Sequence, residues 1–476
     1  MKKSNSFFKN VTLLLAINFL VKPLYILLID MTVQKRLGPE VYGNYFILLN
    51  LSMLFTFILD LGLMYYHNRE TATDENHIAT QLPILLKLKV LFFLVYSCIV
   101  LYTGYVKDFS KDEFVILAGV ILFHGLFSFL SFFRTTMSAL GYFQSDRIFS
   151  ILDRILMFIL VGIFLVFLQD RLSIATFVWA QNSALIIAFL SCIYTLRKII
   201  KLEKISFHKT ASKEVSKLIK GGFPYMLVVL LMLGYNRIDF IMLDEMLGDA
   251  DYHAGVYAFP YRILDMLSMV GALVGTVLMP MVARNEADSK QLNSMKNISL
   301  SLIFCVSLTI MLPLLAYSHS INNLIFDEVS EYMDRVTCYT LLSFFPIGII
   351  YVYGSIMTAS KKQTTLILIS LVGIVVNILL NLQWIPLEKA EGAAKATLIT
   401  QSVVALLHII GVYRYQTYRV NWGLWVKGIF CGCAIFFILT LIPFSYLNFG
   451  LVMIGCGILC LVTRIISMEQ VKHIIK

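Results

Sequence analysis

Arg237 stands deep in an apolar run, between Asn236 and Asp239. Arg262 and Asp265 lie three residues apart in the next such run, on one helical face. Lys22 falls about midway along the first, with Asn18 four residues earlier on the same face and Pro23 weakening the helix beside it. Arg154 follows Asp153 early in another run, and Asp60 closes a further one. An ionisable group inside a membrane span costs about 3 kcal/mol or more, so each is a functional candidate by default. Guanidinium forks and an ammonium in a low-dielectric cavity suit an anion with several oxygens. Lys22, Arg237 and Arg262 are the first choices for such a site, with Arg154, Asn18 and Asn236 beside them. Asp265, Asp239 and Asp60 are the candidates for coupling a proton or sodium ion.

Plainer roles compete with these. Arg262 and Asp265 can clamp two helices as an internal ion pair. Arg237 and Asp239 point about 200° apart on the helical wheel, so they do not neutralise each other. Lys22, Arg134 and Arg154 can snorkel toward an interface, and Asp60 can be structural.

Catalytic and metal signatures are absent from the sequence. It holds no G-x-x-x-x-G-K-[ST], no H-E-x-x-H and no G-x-S-x-G. The eight cysteines are scattered, mostly within apolar runs, and suggest neither a disulfide framework nor a metal site. His124 and His408 are alone in their runs, and a lone helical His is more often packed or hydrogen-bonded than a ligand. The carboxylates of 244–251 lack the glycine and terminal glutamate of a calcium loop. No cofactor is expected.

The elements carrying these residues are membrane spans. Composition is 59% hydrophobic and 14% charged, with mean hydropathy +0.80. Apolar runs near twenty residues long match the thickness of a hydrocarbon core. About fourteen helices are expected: 11–31, 41–65, 83–105, 114–137, 148–168, 172–196, 221–243, 254–282, 297–318, 333–359, 363–385, 389–413, 425–446 and 448–466. Barrel strands would alternate polarity over about ten residues, and these runs do not. The first run is not a cleaved signal, because Lys22-Pro23 interrupts it. The basic segment from Arg197 to Lys220 predicts a cytoplasmic loop, which puts both termini in the cytoplasm. Acidic residues such as Asp244, Asp249 and Asp327 gather in the opposite loops, and Lys35-Arg36 is an exception to the bias. The formal charge of +10 is therefore mainly a topology signal, and nucleic acid is not a partner.

Leu37-Gly38-Pro39-Glu40-Val41-Tyr42-Gly43-Asn44-Tyr45 echoes Leu247-Gly248-Asp249 through Gly255-Val256-Tyr257, six spans later. An even offset preserves direction across the membrane, so the halves are parallel repeats in pseudo-twofold arrangement, with a substrate site expected between them. The expected organisation is a six-helix lobe at 1–196, a basic linker at 197–220, a second six-helix lobe at 221–413, and helices 13–14 with a tail at 414–476.

The block from Leu37 to Tyr66, with Leu59-Asp60-Leu61-Gly62-Leu63, resembles the bacterial polysaccharide-transporter family. So does the block from Gly222-Phe223-Pro224 through Asn236-Arg237-Ile238-Asp239 to Leu278-Met279-Pro280. That family belongs to the multidrug/oligosaccharidyl-lipid/polysaccharide exporter superfamily. The resemblance implies a flippase rather than an enzyme. It would carry an undecaprenyl-diphosphate-linked oligosaccharide, such as an O-antigen unit, to the outer leaflet of a bacterial cytoplasmic membrane. Membrane lipids, a glycan polymerase and a chain-length regulator are the implied partners. Related flippases line the cavity with basic residues on the first, second and eighth spans. Lys22 and Arg262 match the first and eighth, whereas the second offers Asp60 and no basic residue. The membrane potential or a proton or sodium ion would supply the energy. The rivals are a cation-coupled multidrug exporter, a lipid II flippase and a membrane glycan polymerase or glycosyltransferase.

Overall fold

A computed structural model describes residues 21, 23–63, 76–140, 142–199, 212–284, 289–415 and 419–465. Asn18 and Lys22 lie outside the described residues, as do most of the first expected span and 200–211 of the basic segment. The described residues form helices, turns and no strand. In hydrocarbon the backbone has no water to bond, and a helix satisfies its polar groups internally.

Two compact units divide the chain, 1–241 and 242–476. The first contains a π-helical stretch Ile26–Asp30 running into α1 (Met31–Leu37), then α2 (Pro39–Leu54), α3 (Asn76–Val106), α4 (Lys111–Ala139), α5 (Phe143–Phe167) and α6 (Ile174–Ile199). It also holds most of α7 (Ser212–Met246). Here α4 packs on α2, α3, α5 and α6. The second unit contains α8 (Ala250–Arg284), α9 (Ser289–Val306), a π-helical stretch Ser307–Met311 and the short α10 (Leu312–Ala316) and α11 (Ser318–Asn322). It continues with α12 (Glu331–Leu342), α13 (Phe344–Ala359), α14 (Gln363–Glu388), α15 (Ala390–Tyr415), α16 (Trp422–Leu441) and α17 (Tyr446–Val462). In it α8 packs along α13, and α14 along α15.

Eleven described stretches are long and apolar enough to cross a membrane, from Leu82–Val106 to Trp422–Leu441. They correspond to the third through thirteenth expected spans. The fourteenth is the shorter helix Tyr446–Val462. Large apolar side chains on the last two helices, Phe430, Phe437 and Val462 among them, face outward, as residues solvated by lipid do. The chain is thus an all-α integral membrane protein.

The second span departs from the straight helix expected at 41–65. Its α-helix stops at Leu54, a 3-10 turn follows at Thr56–Leu59, and Leu61 and Gly62 take left-handed φ of 44° and 77°. The backbone of Gly222, at the start of the seventh span, presses against Gly62. A Cβ on Gly62 would lie 2.5 Å from Gly222 O. The two sequence blocks that carry the family resemblance therefore touch, and only residues without a Cβ allow that approach.

Both copies of the Leu-Gly echo are turns between helices. Gly38, at φ +82°, separates α1 from α2, and the Leu247–Asp249 turn separates α7 from α8. Lys35 and Arg36, the exception to the charge bias, end α1, where cations suit the helix dipole.

Candidate functional site

A polar seam runs through the first unit, between α2, α3, α4 and α7. Its first step joins Arg237 to Asn50. Asn50 is buried, and its amide nitrogen donates to Phe46 O at 2.7 Å on its own helix. That bond turns the amide oxygen toward Arg237, whose Nη1 donates to it at 3.4 Å. The guanidinium itself stays partly exposed. A guanidinium offers five N–H donors in a fixed fork. Phe240 packs edge-on to Phe46 (4.8 Å between centroids) and fixes α7 against α2 beside this step.

The second step joins Ser52, Tyr96 and His124. Ser52 Oγ and Tyr96 Oη are 2.5 Å apart, and both reach His124 Nδ1, at 3.0 and 3.1 Å. Ser52 and Tyr96 are fully buried, while His124 is partly exposed.

The third step is built on the unwound end of the second span. Lys89 Nζ donates to Leu59 O (3.2 Å), Asp60 Oδ1 (3.3 Å) and Ser128 Oγ (3.0 Å). The Phe129 and Phe132 rings lie 5.9 and 5.4 Å from the ammonium. Three acceptors use the three N–H bonds of an ammonium, so Lys89 is an anchor for the broken helix. Its side chain is 1% exposed, whereas that of Asp60 is 31% exposed. The sequence places no basic residue on the second span; the third span delivers one to it.

Arg154 belongs to a second cluster in the same unit. Its Nε is 3.5 Å from Asp153 Oδ2, and its guanidinium lies over the Tyr25 ring at 5.3 Å. Gln181 Nε2 donates to Tyr25 Oη at 2.7 Å. Among the described residues Asp153 Oδ1 and Arg154 Nε are buried without a hydrogen-bond partner.

The other sequence candidates fall as follows. Asn236 Nδ2 donates to Met232 O at 2.7 Å along its own helix, and Asp239 is completely buried. Arg262 and Asp265 lie on α8 of the second unit, each partly buried. The seam therefore unites Arg237 and Asp60 with Asn50, Ser52, Lys89, Tyr96, His124 and Ser128, which sequence reasoning did not select. Lys89 was findable, being a charge inside the third apolar run. Asn50, Ser52, Tyr96 and Ser128 carry no such signal, since isolated polar residues are frequent in spans.

The second unit has a polar network at the helix ends. Lys389 Nζ donates to Asp249 Oδ2 at 2.8 Å, and His253 Nε2 lies 3.1 Å from the same oxygen. His253 Nδ1 lies 2.8 Å from Tyr332 Oη, which accepts from Ala390 N at 3.0 Å. The hydrogen bond from Lys389 holds the Asp249 carboxyl below its usual range. Nearby, Arg335 meets Glu391 at 2.9 Å, and Lys395 meets Glu388 and Glu391 at 2.7 and 2.9 Å. Among the described residues no group of three His, Cys, Asp or Glu is placed to hold a metal ion.

Comparison with known proteins adds to this geometry. A family model described as polysaccharide biosynthesis protein matches residues 7–286. No curated protein sequence matches the chain. Among solved structures, the lipid II flippase MurJ in an inward closed conformation has TM-score 0.68 at 15% identity, covering 98% of this chain and 100% of that one. A mutant of the Vibrio cholerae MATE transporter VcmN has TM-score 0.61 at 14% identity, covering 88% and 99%. A MOP superfamily transporter from Pyrococcus furiosus has TM-score 0.56 at 12% identity, covering 85% and 94%. At these identities the likeness is one of fold.

Proposed function

The chain belongs to the polysaccharide biosynthesis protein family, and from that premise we propose that it flips a lipid-linked oligosaccharide across a membrane by alternating access. The cargo is an undecaprenyl-diphosphate-linked repeat unit of a surface polysaccharide, O-antigen being one example. The observation that carries this reading is Arg237: a partly exposed arginine at span depth, whose Nη1 donates to the buried amide oxygen of Asn50. It suits a diphosphate, whose geminal oxygens match the guanidinium fork.

The lobes are 1–196 and 221–413, joined by the basic linker 197–220, with 414–476 appended. Lys22, Arg237 and Arg262 are the proposed diphosphate contacts, with Asn18, Asn236 and Arg154 as further candidates. The cavity first opens to the cytoplasm, and the polyprenyl tail stays in lipid. Basic groups replace the water lost by the phosphates, and the headgroup leaves when the lobes rock. Each negative charge carried outward gains about 2.3 kcal/mol across 100 mV, provided that the basic side chains do not cross the field with it. The setting is a bacterial cytoplasmic membrane with both termini inside, beside the polymerase and chain-length regulator that would use the product.

A cation-coupled drug exporter would need a carboxylate facing its cargo. Asp60 is engaged by Lys89 and Asp239 is buried, which favours the anionic cargo. Lipid II is the second reading, supported by the fold likeness to MurJ; it too presents a diphosphate. Export by Arg237→Ala and Arg262→Ala in a strain lacking the gene tests the site. Both should lose surface glycan while membrane protein stays at wild-type level. Full export from both would remove the site. Supplying lipid II or the oligosaccharide lipid to the purified protein in vesicles separates the two cargoes.

A further inference from the structure

Two glycines carry the contact between the end of the second span and the start of the seventh, and no side chain is seated between them. A Cβ on Gly62 would lie 2.5 Å from Gly222 O, and one on Gly222 would meet Leu61 O and, at 3.1 Å, the Gly62 carbonyl carbon. Glycine notches elsewhere in the chain are filled. Phe93 lies against Gly125, Ile303 against Gly348 and Phe304 against Gly428. A ring or branched chain seated in a notch locks two helices together, because withdrawing it leaves a void. Between Gly62 and Gly222 the backbones only touch. Among the described residues no hydrogen bond joins them, so parting them strands no donor or acceptor.

The turn on the second span keeps its hydrogen bonds without α7. Leu61 N donates to Phe57 O at 3.0 Å, and Leu63 N to Asp60 O at 2.8 Å. Lys89, on α3, takes Leu59 O and Asp60 Oδ1. The firm contact of α7 with α2 lies at the other end of the helix, where Phe240 packs on Phe46 and Arg237 donates to Asn50. Between the two contacts α7 is thinly covered. None of residues 226–233 is buried, whereas Gly222, Tyr235, Asp239 and Phe240 are. Arg237 stands fifteen residues beyond Gly222, about 22 Å along the helix. One helix is thus held by interlocking rings near Arg237 and by a bare backbone contact far below it.

We propose that the Gly62–Gly222 contact is a gate, at the end of these spans that the charge bias assigns to the cytoplasm. It parts as α7 swings on its Phe46–Phe240 packing, which admits a headgroup to Arg237. It closes behind the headgroup before the other side opens. Glycine on both faces lets the gate shut backbone to backbone, with no side chain to withdraw on each cycle. The inference rests on Arg237 as the cargo contact, but the motion can be measured without cargo.

Spin labels carried on ketone-bearing residues at Val90 on α3 and Phe223 on α7, both exposed, read the separation in the full chain in nanodiscs, with and without undecaprenyl diphosphate. Wild type should show a short distance and a distinct longer one. Gly222→Ala is the variant to add. Gly222 has no positive φ and alanine favours a helix, so α7 keeps its fold while the new Cβ collides with Leu61 O. It should empty the short distance, leave undecaprenyl diphosphate binding at the wild-type level and lower transport of the oligosaccharide lipid at least tenfold. A single distance in wild type, the same with and without ligand, would overturn the gate, and so would wild-type transport by Gly222→Ala. Should Gly222→Ala fail to fold, the wild-type distances decide alone. Undiminished binding by Arg237→Gln beside two wild-type distances would instead remove the cargo contact and leave the gate standing.

Discussion

Lys89 in the first unit and Lys395 in the second are both ammonium groups held by oxygens, and they differ in where the oxygens lie. Lys395 has two carboxylates at 2.7 and 2.9 Å and is 24% exposed. Lys89 has one carboxylate at 3.3 Å, a carbonyl and a hydroxyl, and is 1% exposed. The second unit's pairs are shorter and richer in charge, yet Lys395 and Glu388 stay open to water while only Glu391 is buried, and exposed pairs contribute roughly 0–1 kcal/mol. Around Lys89 no water competes, so losing one partner leaves the others stranded in a low-dielectric interior. The first unit buries Lys89 inside the bundle; the second sets the ion pairs of Asp249, Glu388 and Glu391 at helix ends, where they tie loops.

The sharpest break of that contrast is truncation. Lys89→Ala should destabilise by about 2–3 kcal/mol, below the full value for a sealed pair because Asp60 is a third exposed. Thermal unfolding in detergent reads this, and a loss no larger than that of Lys395→Ala would end the distinction. The two copies of the Leu-Gly turn give the next comparison. Gly38 sits at φ +82° and ψ 167°, a region open to glycine alone, so Gly38→Ala should cost about 1–3 kcal/mol. Gly248 has open space where a Cβ would go and no positive φ, so Gly248→Ala should stay within about 0.5 kcal/mol. Lys395→Ala should shift unfolding by at most about 1 kcal/mol, and the shift should shrink in salt.

The smallest effect is that of Asp249. Its folded carboxyl titrates below the usual range because Lys389 bonds it. The stability this supplies is present above the unfolded carboxylate value and is lost as pH falls through the lower, folded one. The unfolding gap between wild type and Asp249→Asn should therefore close on acidification in that window. A gap that widens there would reverse the assignment.

The sequence made the spans legible because twenty apolar residues have few alternatives to crossing a bilayer. Eleven of them stand where hydropathy put them, and the division at Gln169–Arg171 is a 3-10 turn between α5 and α6. Arg237 was legible for the same reason, as a charge in oil. The unwinding at Phe55–Gly62 was not, because nothing in Phe-Thr-Phe-Ile-Leu breaks a helix by composition. Its causes are remote in sequence: the ammonium of Lys89 collects Leu59 O, and the backbone of Gly222 meets Gly62. His124 read as an ordinary packed histidine, since the two hydroxyls that meet its Nδ1 come from different helices. Pairings across helices are what a one-dimensional pattern withholds.

The central claim is that a guanidinium at span depth meets a lipid-linked diphosphate. Transbilayer movement of a radiolabelled undecaprenyl-diphosphate oligosaccharide in vesicles, wild type against Arg237→Gln at equal folded protein, tests it most directly. Wild type should move the headgroup to the opposite leaflet, and Arg237→Gln should reduce the rate at least tenfold. Equal rates for the two proteins would contradict it.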